Sequence, residues 1–164
     1  TNEINRMLMV GMLLRKGMKG ELDIMTPGMA VSKELTSVPS FASIDTSVPF
    51  AAEKEVIKNL KKVFLMVGGK AAMSLADKIN DEQEIMLNLA DVMIEIYAAE
   101  SAILRTEKLI SQRGEEACKV HTAITQVYLT EAVEKINNCP RRSLHYLTPK
   151  EVFLSGIKDY AFQS

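Results

Sequence analysis

The sequence predicts an all-α protein: an antiparallel helical bundle of the four-helix type with an additional N-terminal helix. Two observations support this fold class. Apolar residues recur at steps of three and four along most of the 164-residue chain, and no stretch alternates apolar and polar residues as a strand would. Hydrophobic residues make up 47% of the chain and charged residues 25%, which is typical of a globular domain.

The first predicted helix extends from about Glu3 to Lys19 and ends before Gly20, a residue suited to the left-handed conformation that follows a helix. Thr1 and Asn2 stand at the position of an N-cap. Four methionines surround most of this helix, namely Met7, Met9, Met12 and Met18. We therefore expect more than one helix face to be covered, either by a second copy of the chain or by the bundle itself.

A short helix and a linker are predicted next. Thr26 as the N-cap and Pro27 at the first helical position mark the start of this helix. Residues 37–49 are rich in serine and proline, as linkers often are, so we place a domain boundary there. The predicted division is an N-terminal helix in residues 1–20, a short helix and linker in 21–49, and a helical bundle domain in 50–164.

The bundle domain begins with two long predicted helices. The first covers about residues 50–79, and Gly68 and Gly69 each weaken its middle by roughly 1 kcal/mol relative to alanine, so either tertiary packing supports that point or the helix bends there. The second is capped by Asp81 and ends before Gly114. Its apolar stripe comprises Ile85, Leu89, Val92, Ile96, Ala99 and Ile103, widened by Met86, Met93, Tyr97 and Leu104.

Two more helices complete the predicted bundle. Residues 115–138 form a helix that ends before Pro140, and Thr148 followed by Pro149 opens a short terminal helix. The predicted apolar side of the 115–138 helix comprises Ala117, Val120, Ile124, Val127 or Tyr128, and Ala132 or Val133.

Composition narrows the function classes and the compartment. The 20 basic and 21 acidic residues leave no basic excess for a nucleic acid, and an aromatic content of 5% without tryptophan disfavours base stacking. Cys118 and Cys139 are far apart, which is typical of free thiols in a reducing cytoplasm. The sequence has no signal-peptide pattern and no apolar stretch long enough to cross a bilayer, so we expect a cytoplasmic protein without a nucleic-acid partner.

Three candidate sites have simpler structural interpretations. Cys118 and His121 could share a helical face as metal ligands, but a zinc site needs three or four ligands, and a buried thiol beside a half-exposed imidazole is the better interpretation. Asp91 and Glu95 lie one turn apart and are interpreted as part of a solvated face. A lysine stripe could contact anionic lipid at the inner face of the membrane, although a solvent-exposed face is favoured. This stripe comprises Lys54, Lys58, Lys61, Lys62 and Lys70.

The opening residues resemble a known family. T-N-E-I-N-R is similar to the segment that follows the catalytic glutamate in flavin-dependent acyl-CoA dehydrogenases, Glu-Gly-Thr-x-x-Ile-x-Arg, with Thr1, Ile4 and Arg6 at the matching positions. Residues 81–107 resemble, in spacing and residue type, a helix of the additional C-terminal domain of the very-long-chain members. The resemblance covers nearly the whole chain and is least distinctive after Asn138.

This resemblance implies that the chain is the C-terminal part of a larger enzyme. In that family the glutamate removes the α-proton of an acyl-CoA while FAD accepts the β-hydride, which gives a trans-2-enoyl-CoA. The glutamate and the glycine would precede Thr1, so we expect this chain to be inactive by itself and to bind no cofactor alone. The resemblance assigns FAD contacts in the intact enzyme to Thr1, Asn2 and Glu3.

The resemblance also implies a homo-oligomeric enzyme whose acyl-CoA substrate and electron-transfer partner belong to the intact protein. The additional helical domain would then serve subunit association, or docking to a membrane or a partner. The alternative hypothesis is a self-contained helical adaptor whose apolar first helix binds another protein.

Overall fold

The computed structural model describes residues 2–35, 45, 48–75 and 81–138, and every regular element within these ranges is a helix. The all-α class is therefore confirmed. The elements are α1 (Asn2–Met18), α2 (Met25–Leu35), α3 (Ala51–Leu75), α4 (Gln83–Arg113), a 3₁₀ turn (Glu116–Cys118) and α5 (Lys119–Asn138). The helix predicted at Thr148 and most of the serine- and proline-rich linker lie outside the described residues. The division into three segments accordingly stays a prediction.

The ends of α1 and α2 show which residues delimit these helices. Gly20 adopts a φ of 70° just after α1, as its position in the sequence predicts. The cap predicted for α2 is wrong: Asp23, not Thr26, supplies the side-chain acceptor, and it takes a hydrogen bond of 3.0 Å from the Thr26 backbone N–H. This hydrogen bond lowers the pKa of the exposed Asp23 carboxyl. Thr26 is instead a residue of the first turn, whose free N–H needs an acceptor.

Helix α3 continues without interruption through its two central glycines. Gly68 is buried, and a Cβ atom there would lie 3.8 Å from the Leu89 side chain of α4, whereas Gly69 is exposed. Packing against α4 thus supports the weak point, as the sequence predicts. At the start of the helix, Phe50 has a φ of 56° and only 6% of its surface exposed, so burial of its ring holds an unusual backbone conformation.

Helix α4 is the centre of the described structure, because α1, α3 and α5 each pack against it. All three run antiparallel to α4. The side-chain pairs that show this direction are Arg6–Asp91 and Gly11–Met86 for α1, Lys54–Glu107 and Lys61–Glu100 for α3, and Thr106–Thr125 and Glu95–Tyr128 for α5. The antiparallel arrangement agrees with the predicted bundle, and its four-helix form stays a prediction.

The ends of α4 confirm one predicted signal and contradict another. Gly114 ends the helix with a φ of 83°, and its N–H donates to the Ile110 carbonyl over 2.9 Å. The predicted Asp81 cap is wrong, since Glu82 occupies the N-cap position and makes no side-chain capping hydrogen bond. A glutamate has a longer side chain than the residues favoured at an N-cap, and it does not fold back to the first turn here.

Two apolar clusters lie along α4. Helices α1, α3 and α4 form the first, with Val10, Leu14, Met86, Leu89 and Ala90 at its centre. Helices α3, α4 and α5 form the second, with Phe50, Ile57, Leu60, Val92, Ile96, Ala99, Ile103, Leu129 and Ile136. The predicted stripe of α4 is buried at most of its positions. Tyr97 and Leu104, which were expected to widen it, are 74% and 56% exposed.

The predicted apolar side of α5 is right in the second half of the helix and wrong in the first half. Its core-facing residues are Thr125, Leu129, Ala132 and Ile136, preceded by Cys118 in the 3₁₀ turn. Of the predicted set, Ala132 is buried and Tyr128 and Val133 are half-buried against the core, whereas Ala117, Val120, Ile124 and Val127 are exposed. The reason is a buried polar pair: the Thr106 and Thr125 hydroxyls lie 2.8 Å apart, so a threonine replaces an apolar residue at the centre of the interface.

Candidate functional site

The N-terminal turn of α1 carries the residues that the family resemblance assigns to FAD binding. Asn2 and Glu3 lie exposed in this turn, and Thr1 lies outside the described residues. The first backbone N–H groups of a helix have no intrahelical acceptor, and the helix dipole makes this end electropositive. The turn can therefore donate hydrogen bonds to an anionic or hydroxyl-bearing group, while the assigned contacts themselves stay a prediction.

One turn further along, Arg6 connects α1 to α4. Its Nη2 donates a hydrogen bond to Oδ1 of Asp91, and the two side chains are 22% and 43% exposed. The Arg6 Nε atom is buried and has no hydrogen-bond partner among the described residues. Arg6 was recognised from the family pattern, but its partner was not, because Asp91 lies 85 residues away in the sequence.

Helix α1 has two apolar faces. The inner face packs Val10 and Leu14 against α4, and the half-buried Met7 and Met9 pack against the same cluster. The outer face presents three residues at i, i+4 and i+8, namely Ile4, Leu8 and Met12, which are 60%, 54% and 52% exposed. The expectation that α1 packs back onto the bundle is confirmed for the inner face. The outer face stays exposed in the described part of the structure.

Glu95 is not part of a solvated face, contrary to the sequence-based interpretation. Its side chain is 12% exposed and accepts hydrogen bonds from Lys135 and from the Tyr128 hydroxyl, the latter over 3.0 Å. Burial, followed by the Glu95 carboxylate, raises the pKa of Tyr128, and the hydrogen bond to Glu95 raises the pKa of Lys135. Asp91 and Glu95 thus join α4 to two different helices, α1 and α5.

The lysine stripe of α3 is paired with carboxylates. The pairs are Lys54–Glu107 at 2.6 Å, Lys58–Glu55 at 3.1 Å, Lys61–Glu100 at 2.6 Å and Lys62–Glu34 at 2.5 Å. The Lys70 side chain lies outside the described part. These pairs favour the predicted solvent-exposed face over a lipid-binding one, because each cation already has an anionic partner. No helix in the described ranges is both long enough and apolar enough to span a bilayer.

A groove of about 540 Å³ lies between α2, α3 and α4. Its floor is apolar and includes Val31, Ile57 and Ile103, and the paired lysines of α3 stand at its rim. The groove does not include Asn2 or Glu3. It offers apolar surface to a partner, but its rim charges are already neutralised.

Cys118 and His121, the candidate metal ligands, differ in burial. Cys118 is fully buried and is a free cysteine, whereas His121 is exposed. Within the described residues, no three or more histidine, cysteine, aspartate or glutamate side chains are grouped as metal ligands would be. Cys139 and His145 lie outside this part of the chain. A buried thiol with a packing role is the interpretation that the geometry supports.

The outward side of α5 carries a second apolar surface. Val120, Ile124 and Val127 recur at i, i+4 and i+7 opposite the buried residues, and they are 69%, 63% and 58% exposed. We call these three residues the α5 stripe. The sequence did contain the signal, since the helix has apolar residues on two sides, but the stripe was assigned to the core.

Comparison with known proteins identifies the family. The family model of the acyl-CoA dehydrogenase C-terminal domain matches residues 59–157, more than half of the chain. A probable acyl-CoA dehydrogenase from Bacillus subtilis (strain 168) is 35% identical over 144 residues, which are 88% of this chain and 24% of that protein. The crystal structure of an acyl-CoA dehydrogenase complexed with FAD from Bacillus anthracis matches with a TM-score of 0.74 and 41% identity.

The match to that crystal structure covers 84% of this chain and 22% of the other chain, so the chain spans about a quarter of the length of these relatives. The family assignment favours the enzyme-domain hypothesis over the adaptor hypothesis. Sequence and structure together show that this chain belongs to the acyl-CoA dehydrogenase family and contains the C-terminal domain of that family.

Proposed function

We propose that this chain is the C-terminal accessory part of an acyl-CoA dehydrogenase of the very-long-chain type, and that α1 is the last helix of the catalytic part. The intact enzyme would carry out the FAD-dependent α,β-dehydrogenation of a fatty acyl-CoA. The observation that carries this proposal is the outer apolar face of α1, Ile4, Leu8 and Met12. A helix that is apolar on two sides is typically covered on both, and here α4 covers one of them.

The donor groups at the start of α1 fit one polar edge of FAD. Free backbone N–H groups and the exposed Asn2 amide can donate to phosphate or ribose oxygens. These residues would hold that edge, while FAD supplies a hydride acceptor to the reaction. Glu3 can accept from a ribose hydroxyl. Asn2 and Glu3 are both exposed in the described structure, so residues of the catalytic part would have to enclose the rest of the flavin.

Two exposed methionines provide a matched test of this role. Met12 lies on the outer face of α1 and is 52% exposed, and Met29 lies on α2 and is 62% exposed. In the full-length enzyme, Met12→Lys should lower FAD content and dehydrogenase activity because it places a charge in the proposed contact with the catalytic part. Met29→Lys should leave both unchanged. Equal behaviour of the two variants would contradict the proposal.

We further propose that the accessory domain serves subunit association through the α5 stripe. Three adjacent β-branched residues on an otherwise polar helix side suit an apolar contact with a second subunit. In the full-length enzyme, Ile124→Lys should reduce the native mass measured by light scattering. Ile94→Lys, at an α4 position that is 41% exposed, is the matched control and should keep the wild-type mass. An unchanged mass for Ile124→Lys would remove the support for this role.

A further inference from the structure

The Arg6–Asp91 pair links the start of α1 to the middle of α4. Arg6 lies one turn after Asn2 and Glu3, on the side of α1 that faces α4. The Arg6 Nη2 donates to Asp91 Oδ1, so the acceptor comes from the family's C-terminal domain, which matches residues 59–157. A directional contact therefore joins the proposed FAD end of α1 to the accessory domain.

The apolar contact between α1 and α4 is of a different kind. Val10 and Leu14 pack against Met86, Leu89 and Ala90 through apolar side chains. Apolar packing sets which face of α1 is buried, but it is non-directional, so it restrains the first turn less strictly than a hydrogen bond does. A hydrogen bond from a guanidinium to a carboxylate is directional and fixes both register and rotation. The Arg6–Asp91 pair is placed where it sets the orientation of the first turn.

We infer that Asp91 is a positioning residue for FAD: it holds Arg6, and through Arg6 it orients the first turn of α1 toward the flavin nucleotide. This inference rests on the proposed function, in which that turn contacts FAD. Burial of the Arg6 Nε supports it, because a guanidinium that is enclosed at Nε and hydrogen-bonded at Nη2 has little freedom to turn. Asp91 itself would touch neither FAD nor substrate.

The test uses the full-length enzyme loaded with FAD and compares four variants. Asp91→Asn should weaken FAD binding by up to about fivefold, since a partly exposed ion pair contributes about 1 kcal/mol or less. Asp91→Glu keeps the charge and should restore most of the affinity. Glu100→Gln removes the comparable α3–α4 pair with Lys61 and should leave the FAD dissociation constant unchanged.

Asn2→Ala separates failure of this inference from failure of the proposed function. If Asn2→Ala weakens FAD binding and Asp91→Asn does not, the first turn contacts FAD but Asp91 does not position it, which overturns the inference alone. If neither variant changes the affinity, the proposed FAD contact is overturned together with the inference. Weaker binding in both, with rescue by Asp91→Glu, supports both.

Discussion

The buried threonine pair between α4 and α5 allows a prediction with a defined order of effects. Thr106 and Thr125 are each 4% exposed, and their hydroxyl oxygens lie 2.8 Å apart. The Thr125 hydroxyl also lies 2.9 Å from the His121 carbonyl oxygen. Each hydroxyl has one hydrogen. Both hydrogens are used when Thr106 donates to Thr125 and Thr125 donates to the carbonyl.

This donor direction makes the two single substitutions unequal. Thr125→Val removes the acceptor of Thr106 and leaves a buried hydroxyl unpaired, which should lower the free energy of unfolding by about 1–3 kcal/mol. Thr106→Val removes one hydrogen bond but leaves Thr125 bound to the carbonyl, so the expected loss is about 0.5–1.5 kcal/mol. The double variant replaces both hydroxyls with methyl groups of similar shape. It should be less destabilised than Thr125→Val alone, with an interaction energy of about 1 kcal/mol.

Urea denaturation of the wild type and the three variants, followed by circular dichroism, measures these differences. Equal m-values would show that the substitutions change stability rather than the surface exposed on unfolding. Additive effects of the two substitutions would refute the pairing. A loss for Thr125→Val that is no larger than the loss for Thr106→Val would mean that Thr106 has another acceptor, and would refute the donor direction.

Three further predictions concern stability. Gly69→Ala should raise the free energy of unfolding by about 0.5–1 kcal/mol, because this exposed position lies within α3 and a Cβ there would have no neighbour within 4 Å. Gly114→Ala should lower the free energy of unfolding by about 1–2 kcal/mol, because Gly114 has a φ of 83°. Ile103→Ala should lower the free energy of unfolding by about 2–5 kcal/mol, since this side chain is 1% exposed. The same substitution at the next residue, an exposed leucine, should have little effect, and urea denaturation measures both free energies. The hydrogen bond to Glu95 raises the pKa of Lys135 above its ordinary value of 10.5, so the stability from this pair is complete below pH 10.5 and is lost as the pH rises above it. Glu95→Gln should reduce the loss of stability above pH 10.5. Thermal unfolding at a series of pH values on both sides of 10.5 measures this loss.

The sequence predicts α4 well because the apolar residues of this helix lie mainly on one face. Leu89, Val92, Ile96, Ala99 and Ile103 are all buried, as a stripe at steps of three and four requires. Gly114 also ends α4 as predicted, since a positive φ is open to glycine at little cost.

The same reasoning fails for α5 because that helix has apolar residues on two sides. A hydrophobicity pattern ranks Val120 and Ile124 above Thr125, so it assigns them to the core. The structure buries Thr125 instead, because Thr106 on α4 provides a partner for its hydroxyl. The choice between the two faces depends on a residue of another helix, which a local pattern does not contain.

Charged residues show the same dependence on distant partners. Arg6 and Asp91 are 85 residues apart, and Lys61 and Glu100 are 39 apart. Each charge by itself is typical of a solvated helix face, and only the antiparallel packing brings the partners together. The motif at the start of α1 could be recognised from the family pattern, whereas the link to Asp91 required the fold.

The position of α1 in the chain has a consequence for biosynthesis. A ribosome releases α1 before α4, although the inner face of α1 packs against α4 and the residues of the Arg6–Asp91 pair are 85 positions apart. At a translation rate of roughly 5–20 residues per second, the apolar inner face of α1 stays uncovered for several seconds. During that interval α1 can be bound by chaperones that hold unfolded segments. Helices α3 to α5 can pair as antiparallel neighbours before α1 packs against α4.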